Sequence, residues 1–290
     1  MIRLPMSTAV LIVNYRAYGD LTRCLASLAP NIGNDDEVVV VDYESNAAAL
    51  AAAVRDHPRV ITLPLSDNRG FAAGVNLAAA NTRAPYLLLL NPDTIVEGPV
   101  VRELETWLAS QHDVGVAGAC VINVDGSVQP TARKFPDATT LLGGRSTWLT
   151  SRFPQNWFSR RNLVGLGSPG PVDVDWLSGA CFMTRRDLFD RLGGFDESFF
   201  MYWEDADYCL RAASAGFRRT YLPTSSVRHV GGTSAEYALA SAIRAFHQSA
   251  FRMYWKHASP IGKLAAPLIR AGLWLRGERR VRQEVRRRKR

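Results

Sequence analysis

At 290 residues the chain is long enough for one large domain or two small ones, with a sizeable buried core. A hydrophobic fraction of 47% beside 21% charged residues excludes wholesale disorder and a polytopic membrane protein. The formal net charge of +8 is concentrated at one end. Nine Arg and Lys against Glu278 and Glu284 give residues 276–290 a charge of +7, which leaves about +1 for the body and argues against a globally basic nucleic-acid binder.

Through the first half, short β-branched or Leu-rich runs at 9–14, 37–42, 59–65, 86–90 and 114–122 read as strands alternating with Ala-rich helices. The unbroken run Val38-Val39-Val40-Val41 fits a strand covered on both faces, and helices between such strands fit crossovers in a mostly parallel sheet. The expected fold is therefore α/β, with a nucleotide-type first half. Residues 131–171 lose periodicity and read as a loop-rich insertion with Phe135, Trp148, Phe153, Trp157 and Phe158, either a lid or a connection with its own small cluster. Beyond it a strand is expected over 172–182, a helix from Arg185, a helix over 204–215, strands at 218–221 and 227–229, and a long helix over 235–256. Cys24, Cys120, Cys181 and Cys209 form no C-x-x-C pair and read as buried free thiols of a reducing compartment. No signal-type segment opens the chain, and no run approaches the ~20 apolar residues that span a bilayer, so a cytoplasmic location is expected.

Several residues are placed for chemistry. Asp42 ends a buried strand, where a carboxylate either starts a turn or accepts hydrogen bonds from a base or ribose. The stretch Asp67-Asn68-Arg69-Gly70 leads into a small-residue helix containing Asn76, which offers free amides to a phosphate or simply begins a helix. Asn14-Tyr15-Arg16 follows the first strand, so dinucleotide-binding and P-loop fingerprints are absent. Asn91-Pro92-Asp93 sets a carboxylate just beyond Leu87-Leu88-Leu89-Leu90; Mg²⁺ and Mn²⁺ bind through one or two carboxylates plus substrate phosphates, although a plain Pro turn also accounts for it. The densest cluster is Phe199-Phe200-Met201-Tyr202-Trp203-Glu204-Asp205-Ala206-Asp207. Adjacent helical side chains diverge by about 100°, so Glu204 and Asp205 take different tasks. His229 is a metal-ligand candidate only where Asp93 approaches it.

In their order these residues resemble family 2 of the inverting glycosyltransferases, which have the type A fold, and the likeness runs over residues 9–234. The resemblance implies nucleotide contacts from Asn14, Tyr15, Asp42, Asn68, Gly70, Asn76 and Asn91, and a metal site of Asp93 and His229, with Asn91-Pro92-Asp93 in the place of a D-x-D motif. It implies donor-sugar and acceptor contacts from Trp176, Ser178, Gly179 and Glu204, and Asp205 as catalytic base. Within the family, L-N-P-D with W-x-S-G-A and F-x-M-Y-x-E-D-x-D is most similar to bacterial rhamnosyltransferases of cell-envelope polysaccharide synthesis, including those acting on polyprenyl diphosphate-linked acetylglucosamine. Two departures stand out: Asn91 replaces the first Asp of D-x-D, and Tyr43-Glu44 replaces the usual Asn-Gly.

The implied reaction uses a dTDP- or UDP-linked donor, dTDP-rhamnose first and UDP-galactofuranose as an alternative, with Mn²⁺ or Mg²⁺ offsetting diphosphate charge while Asp205 deprotonates the acceptor hydroxyl. A nucleotidyltransferase would need a basic glycine-rich loop after the first strand, and a binding module would leave the carboxylates without a task. Residues 261–275 are apolar but carry Lys263, Pro267 and Arg270, which fits lying on a bilayer surface rather than spanning it. The tail 276–290 is expected to be disordered or held on anionic lipid, keeping the protein at the inner face of the plasma membrane. The long helix before it leaves open pairing with a second copy or covering of the sheet.

Overall fold

The computed structural model describes residues 7–135, 164, 167–231 and 239–288. Four parallel strands form its first half: β1 (Thr8–Tyr15), β2 (Glu37–Tyr43), β3 (Val60–Leu65) and β4 (Tyr86–Leu90). They stand in the order β3-β2-β1-β4 and belong to a 10-stranded sheet that continues through β11 (Cys181–Arg185), β6 (Val114–Asn123), β12 (Arg218–His229) and β5 (Thr94–Val96). β11 runs antiparallel to both of its neighbours, and β5 is antiparallel to β12.

Alternation along each strand explains the sheet's position. Val38 and Val40 of β2 enter one core with Val10, Ile12, Leu88 and Leu90, under α1 (Tyr18–Leu28) and α4 (Val100–Ser110). Val39 and Val41 enter the opposite core with Leu11, Leu87 and Leu89, under α3 (Phe71–Ala80). Each such buried side chain contributes roughly 1.5–3 kcal/mol, which is why these runs carry no polar alternation. Between β2 and β3, α2 (Ala47–Val54) is capped by Asn46, whose side chain accepts from the Ala49 N–H at 3.1 Å.

Three expectations need correction. The stretch 172–182 is not one strand. β9 (Val172–Asp173) pairs with β12, whereas β10 (Trp176–Leu177) leaves the main sheet to pair with β8 (Ala132–Arg133), and β11 begins after a turn at 178–180. The strands at 218–221 and 227–229 are one strand, β12, whose register shifts between Leu222 and Ser226, around Pro223, which has no N–H to donate. A short β7 (Val128–Gln129) folds back on β6, and β5 follows the Asn91-Pro92-Asp93 turn; neither was expected, both being too short for periodicity to register. Most of the 131–171 insertion lies outside the described residues.

The second half adds α5 (Arg186–Arg191), α6 (Glu204–Ser214), α7 (Leu239–His257) and α8 (Ala266–Arg288). Residues 276–288, expected to be disordered or held on anionic lipid, are ordered and complete α8. α8 folds back along α7 as an antiparallel hairpin: Arg244 pairs with Glu278 at 2.7 Å, Gly277 packs on His247, and Tyr254 hydroxyl donates to the Gly262 carbonyl. Buried or half-buried apolar positions at every third or fourth residue (Ala266, Ile269, Leu273, Gly277, Val281) hold a helix whose charge alone argues for disorder. The four cysteines are free and buried, and burial pushes the Cys181 and Cys209 thiols up to about 12. Among the described residues no helix is long and apolar enough to cross a membrane.

Candidate active site

Strand order reverses between β1, whose successors β2 and β3 lie to one side, and β4 on the other. In open α/β sheets ligands gather beyond the carboxyl ends of the strands at such a switch point. Asn14, Asp42 and the Asn91-Pro92-Asp93 turn all lie at this edge.

Two hydrogen bonds draw the distant motifs together. Asn91 N–H donates to the Ala180 carbonyl at 3.1 Å, and Gly179 N–H donates to Oδ2 of Asp205 at 2.9 Å. The turn after β4, the turn before β11 and the start of α6 are thereby one unit. The β5–β12 register, His229 opposite Thr94, then brings His229 onto Asp93. Its Nε2 is 3.0 Å from Oδ1 of Asp93, although this buried nitrogen makes no well-directed hydrogen bond. Two ligand atoms about 3.0 Å apart and not aimed at each other match adjacent corners of an octahedron with bonds of about 2.1 Å. The Asp93 carboxylate raises the His229 pKa above its usual value against the opposing effect of burial. Among the described residues no group of three or more His, Cys, Asp and Glu gathers, so protein ligands number too few for a closed structural site. A pair of this kind fits a Mn²⁺ or Mg²⁺ whose remaining positions are filled by phosphate and water.

Asp205 is partly exposed at the first turn of α6, where Oδ1 also accepts from the Ala206 N–H at 2.7 Å. Burial raises its pKa, while those two amides and the positive charge of Arg133 pull it back down. Glu204 is buried, with Oε2 lacking a hydrogen-bond partner, and burial followed by the neighbouring Asp205 charge drives its pKa well up. Trp176 stacks on Trp203 with ring centres 6.4 Å apart, the Arg133 guanidinium lies 5.2 Å from the Trp176 ring, and both indole N–H groups are buried without a partner. Ser178 N–H donates to the Thr131 carbonyl, fixing the strand end that carries Gly179. Buried donors and acceptors without partners are rare in folded proteins, and here two of them, Trp203 Nε1 and Glu204 Oε2, belong to the residues that precede Asp205.

The expected nucleotide contacts divide. Asn14 is fully buried; its amide donates to Asp42 at 2.6 Å and its Oδ1 has no partner. Asp42 is fully buried too, taking Asn14 on one oxygen and Tyr18 hydroxyl on the other at 3.1 Å, so it orients Asn14 rather than presenting a free oxygen. Tyr15 reaches the site edge, its hydroxyl 3.3 Å from Glu44. Asn68 accepts from the Gly70 N–H at 2.9 Å. Gly70 has φ +91°, and a Cβ there would sit 2.2 Å from the Phe200 carbonyl oxygen, so the glycine serves approach of the 196–203 segment rather than of a phosphate. Asn76 closes a reciprocal pair with the Phe195 backbone, N–H to Oδ1 and Nδ2 to O both at 2.8 Å, which leaves its amide as a clamp.

Among the described residues the non-glycines with left-handed backbone are Arg16, Glu44, Tyr202 and Trp203. Arg16 follows β1, Glu44 follows β2, and the other two lead into Asp205. Strained backbone concentrates where a site is being shaped, and all four fall on this edge. Composition hid this set, along with Arg133, because nothing local marks a left-handed Glu or an Arg in an irregular stretch. Asp207 is a second unexpected centre: fully buried, it accepts from Arg211 at 2.8 Å, from Lys256 at 2.8 Å and from His257 at 2.7 Å, so the end of α7 is tied to the helix that carries Asp205.

This architecture and edge define a glycosyltransferase of the type A fold. A solved mannosyltransferase, PcManGT from Pyrobaculum calidifontis in complex with GDP-Man and Mn²⁺, superposes with a TM-score of 0.58 at 17% identity, covering 93% of this chain and 69% of that one. The profile of the family described as "Glycosyltransferase like family 2" matches residues 5–249, and the chain belongs to that family. Among its relatives, the N-acetylglucosaminyl-diphospho-decaprenol L-rhamnosyltransferase of Mycobacterium tuberculosis is 32% identical over 97% of this chain and 95% of its own length. Rhamnosyltransferase WbbL of Escherichia coli is 23% identical over 79% of this chain and 86% of its own.

Proposed function

We propose that the protein transfers L-rhamnose, with inversion, from dTDP-rhamnose to a hydroxyl of polyprenyl diphosphate-linked N-acetylglucosamine in bacterial cell-envelope synthesis. The carrying observation is Asp205 held on Gly179, one residue from the Ala180 carbonyl that fixes the turn bearing Asp93. Similarity to the mycobacterial rhamnosyltransferase over nearly both whole chains supports the sugar and the acceptor class.

Asp93 and His229 would hold Mn²⁺ or Mg²⁺, and the solved mannosyltransferase of this fold carries Mn²⁺. A bound divalent cation offsets the charge that builds on the departing nucleotide diphosphate. Asn14, oriented by Asp42, and Tyr15 lie on the nucleoside side, with Asn91 at the turn between nucleotide and metal. Asp205 takes the proton of the acceptor hydroxyl as its oxygen bonds to the anomeric carbon and the bond from that carbon to the diphosphate oxygen breaks. A single displacement inverts the centre and calls for no carboxylate nucleophile. A carboxyl whose pKa is raised from the ordinary Asp range is a better proton acceptor, and two backbone donors keep it aimed. Glu204, whose pKa burial drives up, meets a sugar hydroxyl beside the Trp176–Trp203 stack, with Ser178 and Gly179 forming the floor.

A panel of dTDP-rhamnose, UDP-hexoses and UDP-galactofuranose, assayed with Mn²⁺ or Mg²⁺ and with chelator, tests the reading. Metal-dependent turnover of dTDP-rhamnose is expected. Preference for UDP-galactofuranose overturns the donor assignment, chelator-insensitive turnover overturns the metal site, and nucleotide affinity without turnover of any donor leaves a binding module.

A further inference from the structure

The hairpin of α7 and α8 ends in a surface that no part of the described chain covers. Ile261 and Leu264 are each 81% exposed, Leu268 79%, and Trp274 64%. Large apolar side chains this exposed, close in sequence and confined to the turn between the two helices and the first half of α8, mark an interaction surface rather than a scatter. Their arrangement along α8 is ordered. The buried side, Ala266, Gly277 and Val281, faces α7. The opposite stripe follows helical spacing, with Leu268, Ala271 and Leu275 followed by Arg279, Arg282 and Arg286, all exposed.

The aromatic edge of α7 joins this surface. Phe251 and Trp255 stack with ring centres 6.4 Å apart, and Arg270 and Lys263 lie over their rings at 5.7 and 5.1 Å. Cationic heads seated on aromatic rings beside exposed apolar side chains are suited to a boundary between hydrocarbon and charged headgroups. Acidic counter-charge is scarce: Glu278 is paired with Arg244, and Glu284 is the other carboxylate of α8. Self-pairing along the whole stripe in parallel would set Arg279, Arg282 and Arg286 of two copies together, like charge against like.

We propose that this face is a docking surface for an anionic lipid bilayer, with Ile261, Leu264, Leu268 and Leu275, flanked by Trp274, entering the headgroup boundary and Arg279, Arg282 and Arg286 meeting acidic headgroups. It deepens the proposed function, on whose lipid-linked acceptor it rests, by fixing how the catalytic edge meets the membrane. The coupling is structural: Ser249 of α7 donates to the Met201 carbonyl at 2.9 Å, Phe246 packs on Tyr202 and Trp203, and Lys256 and His257 hold Asp207. The surface that touches lipid is thus rigidly joined to the segment that delivers Asp205.

Flotation of the full chain with vesicles of phosphatidylcholine alone or with phosphatidylglycerol tests this. The wild type is expected to float with the anionic vesicles, less so as salt is raised. The variants Ile261→Glu/Leu264→Glu/Leu268→Glu and Arg279→Glu/Arg282→Glu/Arg286→Glu are each expected to weaken partitioning by at least about 100-fold, given roughly a tenfold contribution per inserted apolar side chain and roughly a fivefold contribution per basic residue. Both should keep the wild-type melting temperature and the wild-type rate on a water-soluble short-chain prenyl diphosphate N-acetylglucosamine, while losing transfer to the long-chain acceptor in vesicles. Unchanged flotation of both variants, or a wild-type dimer in light scattering that the Leu variant converts to monomer, overturns the docking surface. Absence of transfer to either acceptor by a wild type that still floats overturns the proposed reaction and leaves the surface standing.

Discussion

Replacing Asp205 by Asn isolates the proton transfer from the architecture that supports it. Oδ2 accepts from Gly179 and Oδ1 from Ala206, and both donors are backbone amides that cannot turn away. An amide side chain satisfies one of them and sets an NH₂ against the other, so the fold loses about 1–3 kcal/mol. Against a typical stability of about 5–15 kcal/mol the chain remains folded. What disappears is the proton acceptor, and a positioned general base contributes about 10²–10⁴ in rate, or roughly 2.7–5.4 kcal/mol of barrier. The assay is release of dTDP under single-turnover conditions, beside calorimetric binding of dTDP with Mn²⁺. The expected result is a kcat lower by about 10²–10⁴ with dTDP affinity unchanged within about twofold. A loss of less than tenfold, or an equal fall in nucleotide affinity, refutes the assignment of Asp205 as base.

Three other outcomes follow from the contacts around this residue. Asp205 must be ionised to act and its pKa lies above the ordinary Asp value, so kcat/KM falls as pH drops through that raised value; Arg133→Met removes the positive charge that lowers it and should move the acidic limb to still higher pH, read from the pH–rate profile. Gly70→Ala puts a Cβ against the Phe200 carbonyl oxygen in a left-handed position, and strain plus overpacking of about 2–4 kcal/mol should lower the Tm by roughly 3–7 °C. Asp207→Asn should cost about 3–5 kcal/mol in urea unfolding because it removes the buried charge on which Arg211, Lys256 and His257 converge, leaving Lys256 with Asp196 and Arg211 with the Leu192 and Gly194 carbonyls. Lys256→Met, with Arg211 and His257 left on Asp207 and a partly exposed ammonium, should cost about 1 kcal/mol, and the reverse ranking would contradict the clasp.

Much of the parallel half was legible because its information is local. A strand buried on both faces must be continuously apolar, so Val38–Val41 and Leu87–Leu90 announce themselves without any partner. Asp93 and Asp205 were legible as carboxylates at the end of a strand and the start of a helix, as were the free buried cysteines. The short strands and the break of 172–182 were not, since two or three residues hold no period and their pairing is chosen by whichever edge is open.

Hydrogen-bond capacity is what the linear chain conceals most. Asp42, Gly70 and Asn76 are the right residue types in the right order for a nucleotide, yet Asp42 is enclosed by Asn14 and Tyr18, Gly70 makes room for Phe200, and Asn76 holds Phe195. Each partner but Asn14 and Tyr18 comes from more than a hundred residues away. Likewise charge alone describes 276–288 as a chain repelling itself, and only packing of Ala266, Gly277 and Val281 against α7 makes it a helix.

The amino-acid sequence by itself determined the strands, the order of the motifs and the chemistry that their side chains are able to perform, because those depend on residue type and short-range periodicity. The tertiary structure decided which of those groups stay available: it brought His229 to Asp93 through the β5–β12 register, set Asp205 on Gly179, and closed the C-terminal hairpin onto Asp207. The physical reason is that a polar group's role is fixed by the partner that satisfies it, and here those partners are supplied by distant segments meeting at one edge of the sheet.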